Sequence, residues 1–129
     1  MPLLRIDVLE GHNDDYLQNL LDGVHHAVVE AFDVPVRDRY QVLTEHKPGR
    51  LIMQDTGLDI PRTHRQTLIS ITSRPRDQAA KIRFYEKVCH ELHARCGIEA
   101  NDVMVSIVVN GDEDWSFGQG KAQFLTGEL

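Results

Sequence analysis

The spacing of apolar residues predicts that the first part of the chain folds as strand, helix and strand. Residues 3–9 alternate loosely between apolar and polar positions, which is typical of a strand. A helix capped by Asn13 or Asp14 follows, and it ends before Pro35 because the residue preceding a proline is pushed out of the α region. Residues 40–44 predict a second strand. The apolar face of the helix, spaced by three and four residues, consists of Leu17, Leu20, Leu21, Val24, Val28, Ala31 and Phe32.

The second part of the chain repeats this pattern after a loop. Proline and glycine residues predict a loop over residues 46–64, with at most a short strand at 51–53. A strand at 67–72 precedes a helix that ends at Gly97, and the nearly unbroken apolar run at 103–109 is typical of a central strand covered on both faces. The buried face expected for this helix consists of Ile82, Tyr85, Val88, Cys89, Leu92 and Cys96.

The two halves align with each other. Residues 32–38 match residues 96–102 at an offset of 64, so the repeats run from about 2 to 64 and from about 66 to 129. Each half is a βαβ unit with parallel strands and a right-handed crossover. We therefore expect one α+β domain over residues 1–129, a four-stranded mixed sheet with both helices on one face. The other face lacks a cover, which predicts an oligomer.

Composition narrows the classes of function. A length of 129 residues fits one domain, and 41% apolar with 26% charged residues is an ordinary globular mixture. The net charge of -6, without a run of Lys or Arg, disfavours a nucleic-acid partner. No apolar run approaches the ~20 residues of a membrane span, and the early charges disfavour a signal peptide. We expect a cytoplasmic protein with no membrane partner.

The cysteines predict free thiols. Cys89 and Cys96 are seven residues apart in the second predicted helix, or about 10 Å along its axis, too far for a disulfide. His90 and His93 lie nearby but lack the i, i+4 spacing of the HExxH zinc motif. We therefore expect no metal site.

Chain topology brings several chemically active side chains to one edge of the sheet. If the first and third strands are central and antiparallel, the start of the first lies beside the end of the third. The second strand, parallel to the first, begins at the same edge, and the fourth strand ends there. The side chains expected at this edge are Pro2, Asp38, Arg74, Arg76, Trp115 and Phe117.

Taken one at a time, these residues have ordinary interpretations. A proline after the initiator Met is common, although removal of Met1 would expose a secondary amine that can act as a base, an acid or a nucleophile. If Met1 is retained, none of these roles is available. Arg74 and Arg76 form either a solvated turn or a carboxylate clamp. Asp38 fits a surface ion-pair cluster with its two neighbouring arginines.

In combination, these segments resemble the tautomerase superfamily. The resemblance rests on Pro2 and on residues 34–41, 73–76, 114–118 and 124–129. Within the superfamily the chain is most similar to the malonate semialdehyde decarboxylases. The resemblance covers the whole chain and implies a β-α-β tautomerase fold, a homotrimer, a catalytic N-terminal proline and no cofactor.

The resemblance also implies roles for individual residues. Pro2 and Asp38 take the positions of the catalytic proline and aspartate, and Arg74 and Arg76 those of the substrate-binding arginines. The loop at 59–65 has no match, and we expect its His64 and Arg65 to face water. The implied apolar pocket wall consists of Trp115, Phe117, Phe124 and Leu129.

The implied function is decarboxylation of a short 3-oxo acid, malonate semialdehyde, to acetaldehyde and carbon dioxide. The proline amine would act as a protonated acid or form an iminium, and the sequence leaves both routes open. Alternatives are a hydratase or hydrolytic dehalogenase of small unsaturated acids, with Asp38 activating water, and a phenylpyruvate-type tautomerase side activity. A non-catalytic trimeric scaffold would not need Pro2 and Asp38 together with both arginines.

Overall fold

The computed structural model describes all residues 1–129, and they form one four-stranded mixed sheet with two long helices. The strands lie in the order Gln41–His46, Leu3–Leu9, Thr67–Ser73 and Val103–Val109; the two central strands are antiparallel, and each outer strand is parallel to its neighbour. Two short 3₁₀ turns, at Ala100–Asp102 and Asp112–Asp114, accompany these elements. The main elements are β1 (Leu3–Leu9), α1 (Asp14–Phe32), β2 (Gln41–His46), β3 (Thr67–Ser73), α2 (Gln78–Cys96), β4 (Val103–Val109) and α3 (Gln123–Thr126).

The two helices begin and end in equivalent ways. Asn13 caps α1 by accepting from the Tyr16 N–H at 2.8 Å, and Asp77 caps α2 by accepting from the Ala80 N–H at 2.7 Å. Both helices have 19 residues, and α2 begins 64 residues after α1. Gly97 ends α2 with φ 67°, as predicted. The 64-residue offset seen in the sequence is therefore also the offset of the folded elements.

The core lies between the helices and one face of the sheet. Leu4 and Ile6 of β1 point to this face beside their partners Ile71 and Ile69 of β3. On α1, the predicted apolar face is confirmed, with only Leu21 partly buried. The arrangement of both helices on one face is thus as expected, and it leaves the strand ends free to carry functional groups.

The expected central position of β4 is wrong. β4 is an edge strand, and none of its residues is fully buried. Val103, Val105 and Ile107 pack against the core, whereas Met104 and Val108 are exposed on the opposite face. The apolar run reflects a strand with one face on the core and an outer face that nothing in the chain covers.

The buried face expected for α2 is wrong in part. Val88 and Leu92 are buried as predicted, but Ile82 and Tyr85 are 46% and 40% exposed. Cys89 and Cys96 are partly buried free thiols, and burial raises the pKa of both. The buried residues of α2 recur every four positions, and Ile82 and Tyr85 do not belong to that series. The buried residues of α2 are Ala80, Phe84, Val88 and Leu92.

The open face of the sheet is less apolar than expected. Leu68 and Met104 lie on it, but so do polar residues of every strand, including His46 and Asp7, whose Nε2 and Oδ1 atoms lie 2.6 Å apart. Arg5, on the same face, is exposed. This mixture still leaves the face and both sheet edges without a cover.

Neither long helix, nor the short α3, combines the length and the apolar character that a membrane-spanning helix needs.

The segment between β2 and β3 is a loop, as predicted, and the short strand considered at 51–53 does not form. His64 and Arg65 are exposed, also as predicted. Arg65 in addition donates to the carbonyls of Cys96 and Gly97, at 2.8 and 3.1 Å. It therefore interacts with the C-terminal end of α2, where a cation is favourable.

Candidate active site

The start of β1 and the turn before β2 enclose a cleft at one edge of the sheet. Pro2 is buried directly before β1, and the Leu4 N–H donates to the Tyr40 carbonyl at 3.0 Å, which joins the two segments. The cleft has a volume of about 310 Å³. Its lining residues are Met1, Pro35, Arg37, Asp38 and Tyr40.

Asp38 is a buried carboxylate without a hydrogen-bond partner. Its residue is 6% exposed, and neither carboxylate oxygen has a partner within the chain. Burial raises the pKa of Asp38, while the terminal amine and then Arg76 act in the opposite direction. A buried carboxylate that lacks hydrogen bonds is unfavourable for folding. Its position facing an amine and a guanidinium suits a functional role better than a structural one.

The terminal amine interacts with the same groups. Burial is the main cause that lowers the pKa of this amine, and Arg76 lowers it further, whereas Asp38 raises it. In the structure the amine belongs to Met1. Removal of Met1 would transfer it to Pro2, about 3.5 Å further along an extended chain. We therefore expect Asp38 and Arg76 to act on a proline amine in the same directions as on the Met1 amine.

Arg76 is fixed by the core beside it. Its Nε–H donates to Ser73 Oγ at 3.3 Å and one terminal nitrogen donates to the Phe32 carbonyl at 3.2 Å. Its guanidinium lies 5.4 Å from the centre of the Phe32 ring. Burial, and then the charge of Arg74, lower the pKa of Arg76. The guanidinium is held in one place with a second cation near it, as an anion site requires.

Arg74 is held by the C-terminal segment. One terminal nitrogen lies 3.0 Å from Asp112 Oδ1, and the guanidinium carbon lies 3.7 Å from the centre of the Phe124 ring. Cation–π contacts favour this stacked arrangement. The Nε–H of Arg74 is buried and has no partner.

Aromatic rings connect Arg74 to the cleft. Trp115 and Phe117 stack with centroids 5.4 Å apart, and Phe117 lies 5.4 Å from Phe124 in an edge-to-face contact. Phe117 also stacks on Tyr40 at 5.8 Å. Leu129 differs, because it is 60% exposed and contributes a backbone N–H to the Gln123 carbonyl at 3.3 Å. Its place in the pocket wall stays a prediction.

Three residues of this site were not singled out by the sequence. Tyr40 lies within residues 34–41, and the sequence pattern predicts only that it begins a strand. Asp112 lies in a loop of acidic residues with no distinguishing pattern. His25 lies on the buried face of α1, although it is not one of the apolar residues that predict this face. A polar residue between Val24 and Val28 is the sequence feature that indicates it.

His25 anchors the turn that carries Asp38. The residue is 7% exposed, and its Nε2 lies 2.7 Å from the Val36 carbonyl oxygen. A carbonyl oxygen only accepts, so Nε2 carries the proton in this contact. The Asp38 N–H in turn donates to the Pro35 carbonyl at 3.0 Å. Together these bonds fix the turn over residues 35–38.

Replacing His25 with Leu should lower the free energy of unfolding by about 1–3 kcal/mol, since the Val36 carbonyl loses its donor. His25→Gln keeps an N–H at a similar reach and should lose less. Chemical denaturation of the two variants beside the wild type measures the difference. Equal losses in both variants would show that the hydrogen bond does not stabilise the turn.

The opposite edge of the sheet contains the equivalent of this site in the second repeat. Asp102, 64 residues after Asp38, is 1% exposed, but it accepts from the Thr63 N–H at 2.6 Å and from the Thr63 hydroxyl. Gln66 takes the position of Pro2, within the chain, so it has no free amine. The aspartate at this repeated position thus has hydrogen-bond partners at one edge of the sheet, as Asp102, and none at the other, as Asp38.

Sequence comparison identifies the class of protein to which this fold and this group of side chains belong. A family model described as tautomerase enzyme matches residues 38–118, and a second with the same description matches residues 2–59. The chain belongs to the tautomerase superfamily of enzymes. It is 50% identical over 129 residues, the full length of both chains, to the probable tautomerase YrdN of Bacillus subtilis (strain 168).

The solved structures to which the chain is similar include two malonate semialdehyde decarboxylases. One, described as a structural basis for decarboxylase and hydratase activities, is 45% identical, with a TM-score of 0.96 over 98% of each chain. The other, inhibited by 3-bromopropiolate, is 37% identical, with a TM-score of 0.94 over 98% of this chain and 97% of that one. The resemblance to this group that the sequence motifs indicated is confirmed. A fused 4-OT symmetric trimer shares the fold at 20% identity, with a TM-score of 0.79 over 97% of this chain and 98% of that one.

Proposed function

We propose that the protein decarboxylates a short 3-oxo acid, with malonate semialdehyde as the preferred substrate, after removal of Met1. The observation that carries this proposal is Asp38, a buried carboxylate without a hydrogen-bond partner, coupled to the terminal amine and Arg76. A carboxylate there favours the protonated amine and so opposes burial and Arg76, which together lower the pKa of this amine. A protonated amine suits an acid role, and the two arginines suit an anionic substrate.

In the proposed reaction the bond between the carboxylate carbon and the α-carbon of the substrate breaks. Carbon dioxide leaves, and the electron pair passes toward the aldehyde carbonyl. The Pro2 amine either donates a hydrogen bond to the carbonyl oxygen or condenses with the carbonyl to an iminium, so that either route stabilises the developing charge. On the hydrogen-bond route, protonation of the α-carbon then gives acetaldehyde. On the iminium route the condensation releases water, and after the α-carbon is protonated, hydrolysis of the iminium frees acetaldehyde and the Pro2 amine.

Arg74 and Arg76 hold the departing carboxylate in this proposal, and the rings around them favour its loss. Phe124 stacks on Arg74, and Trp115 and Phe117 continue the wall. Neutral carbon dioxide is less dependent on water than a carboxylate is, so an apolar wall stabilises the product side of the step. No cofactor takes part in the proposed reaction.

A hydratase of small unsaturated acids is the second candidate. Both oxygens of Asp38 are free of partners inside the cleft, and such a carboxylate can activate a water molecule. The description of the 45% identical structure, which gives both decarboxylase and hydratase activities for that protein, also supports this candidate. The description of the 50% identical relative as a probable tautomerase keeps a tautomerase side activity in the same test.

The test is a panel of short 3-oxo acids, unsaturated acids and phenylpyruvate, followed by NMR. Carbon dioxide and acetaldehyde from malonate semialdehyde would support the decarboxylase, and water addition without carbon loss would favour the hydratase. Intact mass must accompany the assay, because a chain that keeps Met1 has no proline amine. Equal turnover by protein with and without Met1 would contradict the proposal.

We also propose a homotrimer. The uncovered sheet face and the free edges of β2 and β4 need partners, and β4 exposes Met104 and Val108 at 43% and 63%. Light scattering should give about three times the chain mass of 14.7 kDa. A stable monomer at micromolar concentration would contradict this prediction.

A further inference from the structure

A carboxylate of the chain already lies on the guanidinium of Arg74. Asp112 Oδ1 is 3.0 Å from one terminal nitrogen, and the two side chains are 55% and 34% exposed, so the pair reaches solvent. Asp112 is held in place by its 3₁₀ turn, in which the Gly111 N–H donates to Asp114 Oδ2 at 2.8 Å and the Asp114 N–H donates to the Gly111 carbonyl at 3.1 Å. The contact is therefore positioned by local backbone structure.

The remaining donors of Arg74 decide how a second carboxylate can bind. A guanidinium offers paired donors along its side, from Nε and one terminal nitrogen, and at its end, from both terminal nitrogens. Nε is shielded from solvent and Phe124 lies against the flat face of the group. The four N–H groups of the two terminal nitrogens are the remaining donors, and Asp112 lies on one of these nitrogens. A second carboxylate that binds both terminal nitrogens would meet the negative charge of Asp112 on the same group, so displacement of Asp112 favours its binding.

We propose that Asp112 is an internal competitor for the substrate carboxylate and thereby sets the affinity of the site for anions. The inference rests on the proposed function in one respect, that Arg74 binds the substrate. Asp112 partners Arg74 in the free enzyme, and the substrate carboxylate replaces it. A neutral aldehyde cannot make this exchange, so the pair also selects for substrates that carry a carboxylate.

The test compares Asp112→Asn with Glu113→Gln. Glu113 is the next residue, is exposed, and its substitution removes the same charge without touching the pair. Titration with malonate, an unreactive short carboxylate, should show about two- to fivefold tighter binding for Asp112→Asn, the size expected when an exposed ion pair no longer competes. KM for the 3-oxo acid should fall in parallel with little change in kcat. Asp112→Glu should retain the wild-type affinity.

Unchanged malonate binding in Asp112→Asn would overturn the inference, and so would three further outcomes. Equal tightening in Glu113→Gln would assign the effect to overall charge, and weaker binding in Asp112→Asn would make Asp112 a support for Arg74. The third is tightening that persists when Arg74→Ala is combined with Asp112→Asn, because the competition acts through that guanidinium.

The Arg74→Ala single variant separates this inference from the proposed function. If malonate binding does not weaken in Arg74→Ala, the carboxylate clamp of the proposed function fails. If it weakens there while Asp112→Asn leaves binding unchanged, the clamp stands and only the competitor role of Asp112 fails.

Discussion

Replacing Asp38 with Asn should lower decarboxylation at neutral pH by about a hundredfold, the lower end of what one acid–base contribution supplies. The variant keeps the shape of the side chain but removes the negative charge that favours the protonated amine. The two arginines remain, so the pKa of the amine should fall. A base-type tautomerase side activity should hold or rise, because more of the amine is neutral. The measurement is a pH–rate profile for both reactions beside a direct titration of the amine.

Asp102→Asn is the matched control for this substitution, since Asp102 occupies the equivalent position in the other repeat. It should leave both pH–rate profiles unchanged but lower the free energy of unfolding by about 1–3 kcal/mol, because an amide cannot accept from both Thr63 donors in the way the carboxylate does. If the two activities of Asp38→Asn fall in parallel and the amine pKa does not move down, Asp38 positions water or substrate. The hydratase would then be the better proposal.

Asp38→Asn should also gain stability at neutral pH. Burial raises the pKa of Asp38, so folding favours its protonated form. The wild type therefore loses stability as the pH rises from about 3.9, the ordinary pKa of Asp, to the raised pKa of Asp38. Above that raised pKa the loss remains. The variant does not titrate there, and its advantage should vanish below that range. Denaturation curves at several pH values measure this difference.

Arg74→Ala and Arg76→Ala should each lower kcat/KM, with a loss of about 2–5 kcal/mol in transition-state stabilisation. This is the size expected when the guanidinium pairs with a substrate carboxylate that is buried in the site. Arg50→Ala, in the loop between β2 and β3, removes the same charge from an exposed position and should be neutral. Wild-type kinetics in either site variant would remove that guanidinium from the proposed clamp.

The Arg74→Ala and Arg76→Ala variants should differ in stability. Arg76 donates to Ser73 and to the Phe32 carbonyl, so its loss should also cost about 0.5–1.5 kcal/mol per bond. Arg74 pairs with an exposed carboxylate, so its loss should cost at most about 1 kcal/mol. Thermal unfolding of both proteins would distinguish the two cases.

The sequence predicts the elements and topology well because both rest on local signals. Pro35 and Gly97 mark the ends of the two helices, and the 64-residue offset implies that the halves share one architecture. From that topology alone Pro2, Asp38 and the arginines could be assigned to one edge. Patterns along the chain give an order of strands and their ends, which is enough to bring residues 70 positions apart together.

The failures have a common physical origin. The apolar run of β4 and the residues Ile82 and Tyr85 have the composition of buried positions, but within one chain nothing covers them. A hydrophobic pattern reports which surfaces avoid water and not what covers them. Likewise, no sequence pattern shows that Asp38 accepts no hydrogen bond while Asp102 accepts two. The difference depends on Thr63, a loop residue that donates both bonds to Asp102.

The burial of Pro2 has a practical consequence for handling the protein. Residues added before Pro2 must pass out through the cleft of about 310 Å³ that the terminal residue lines. An affinity tag fused there would remove the secondary amine and also fill the space proposed for a small acid. Such a fusion protein should fold and assemble normally yet show no turnover, and a purification strategy that releases a native proline end is needed before inactivity is attributed to the enzyme.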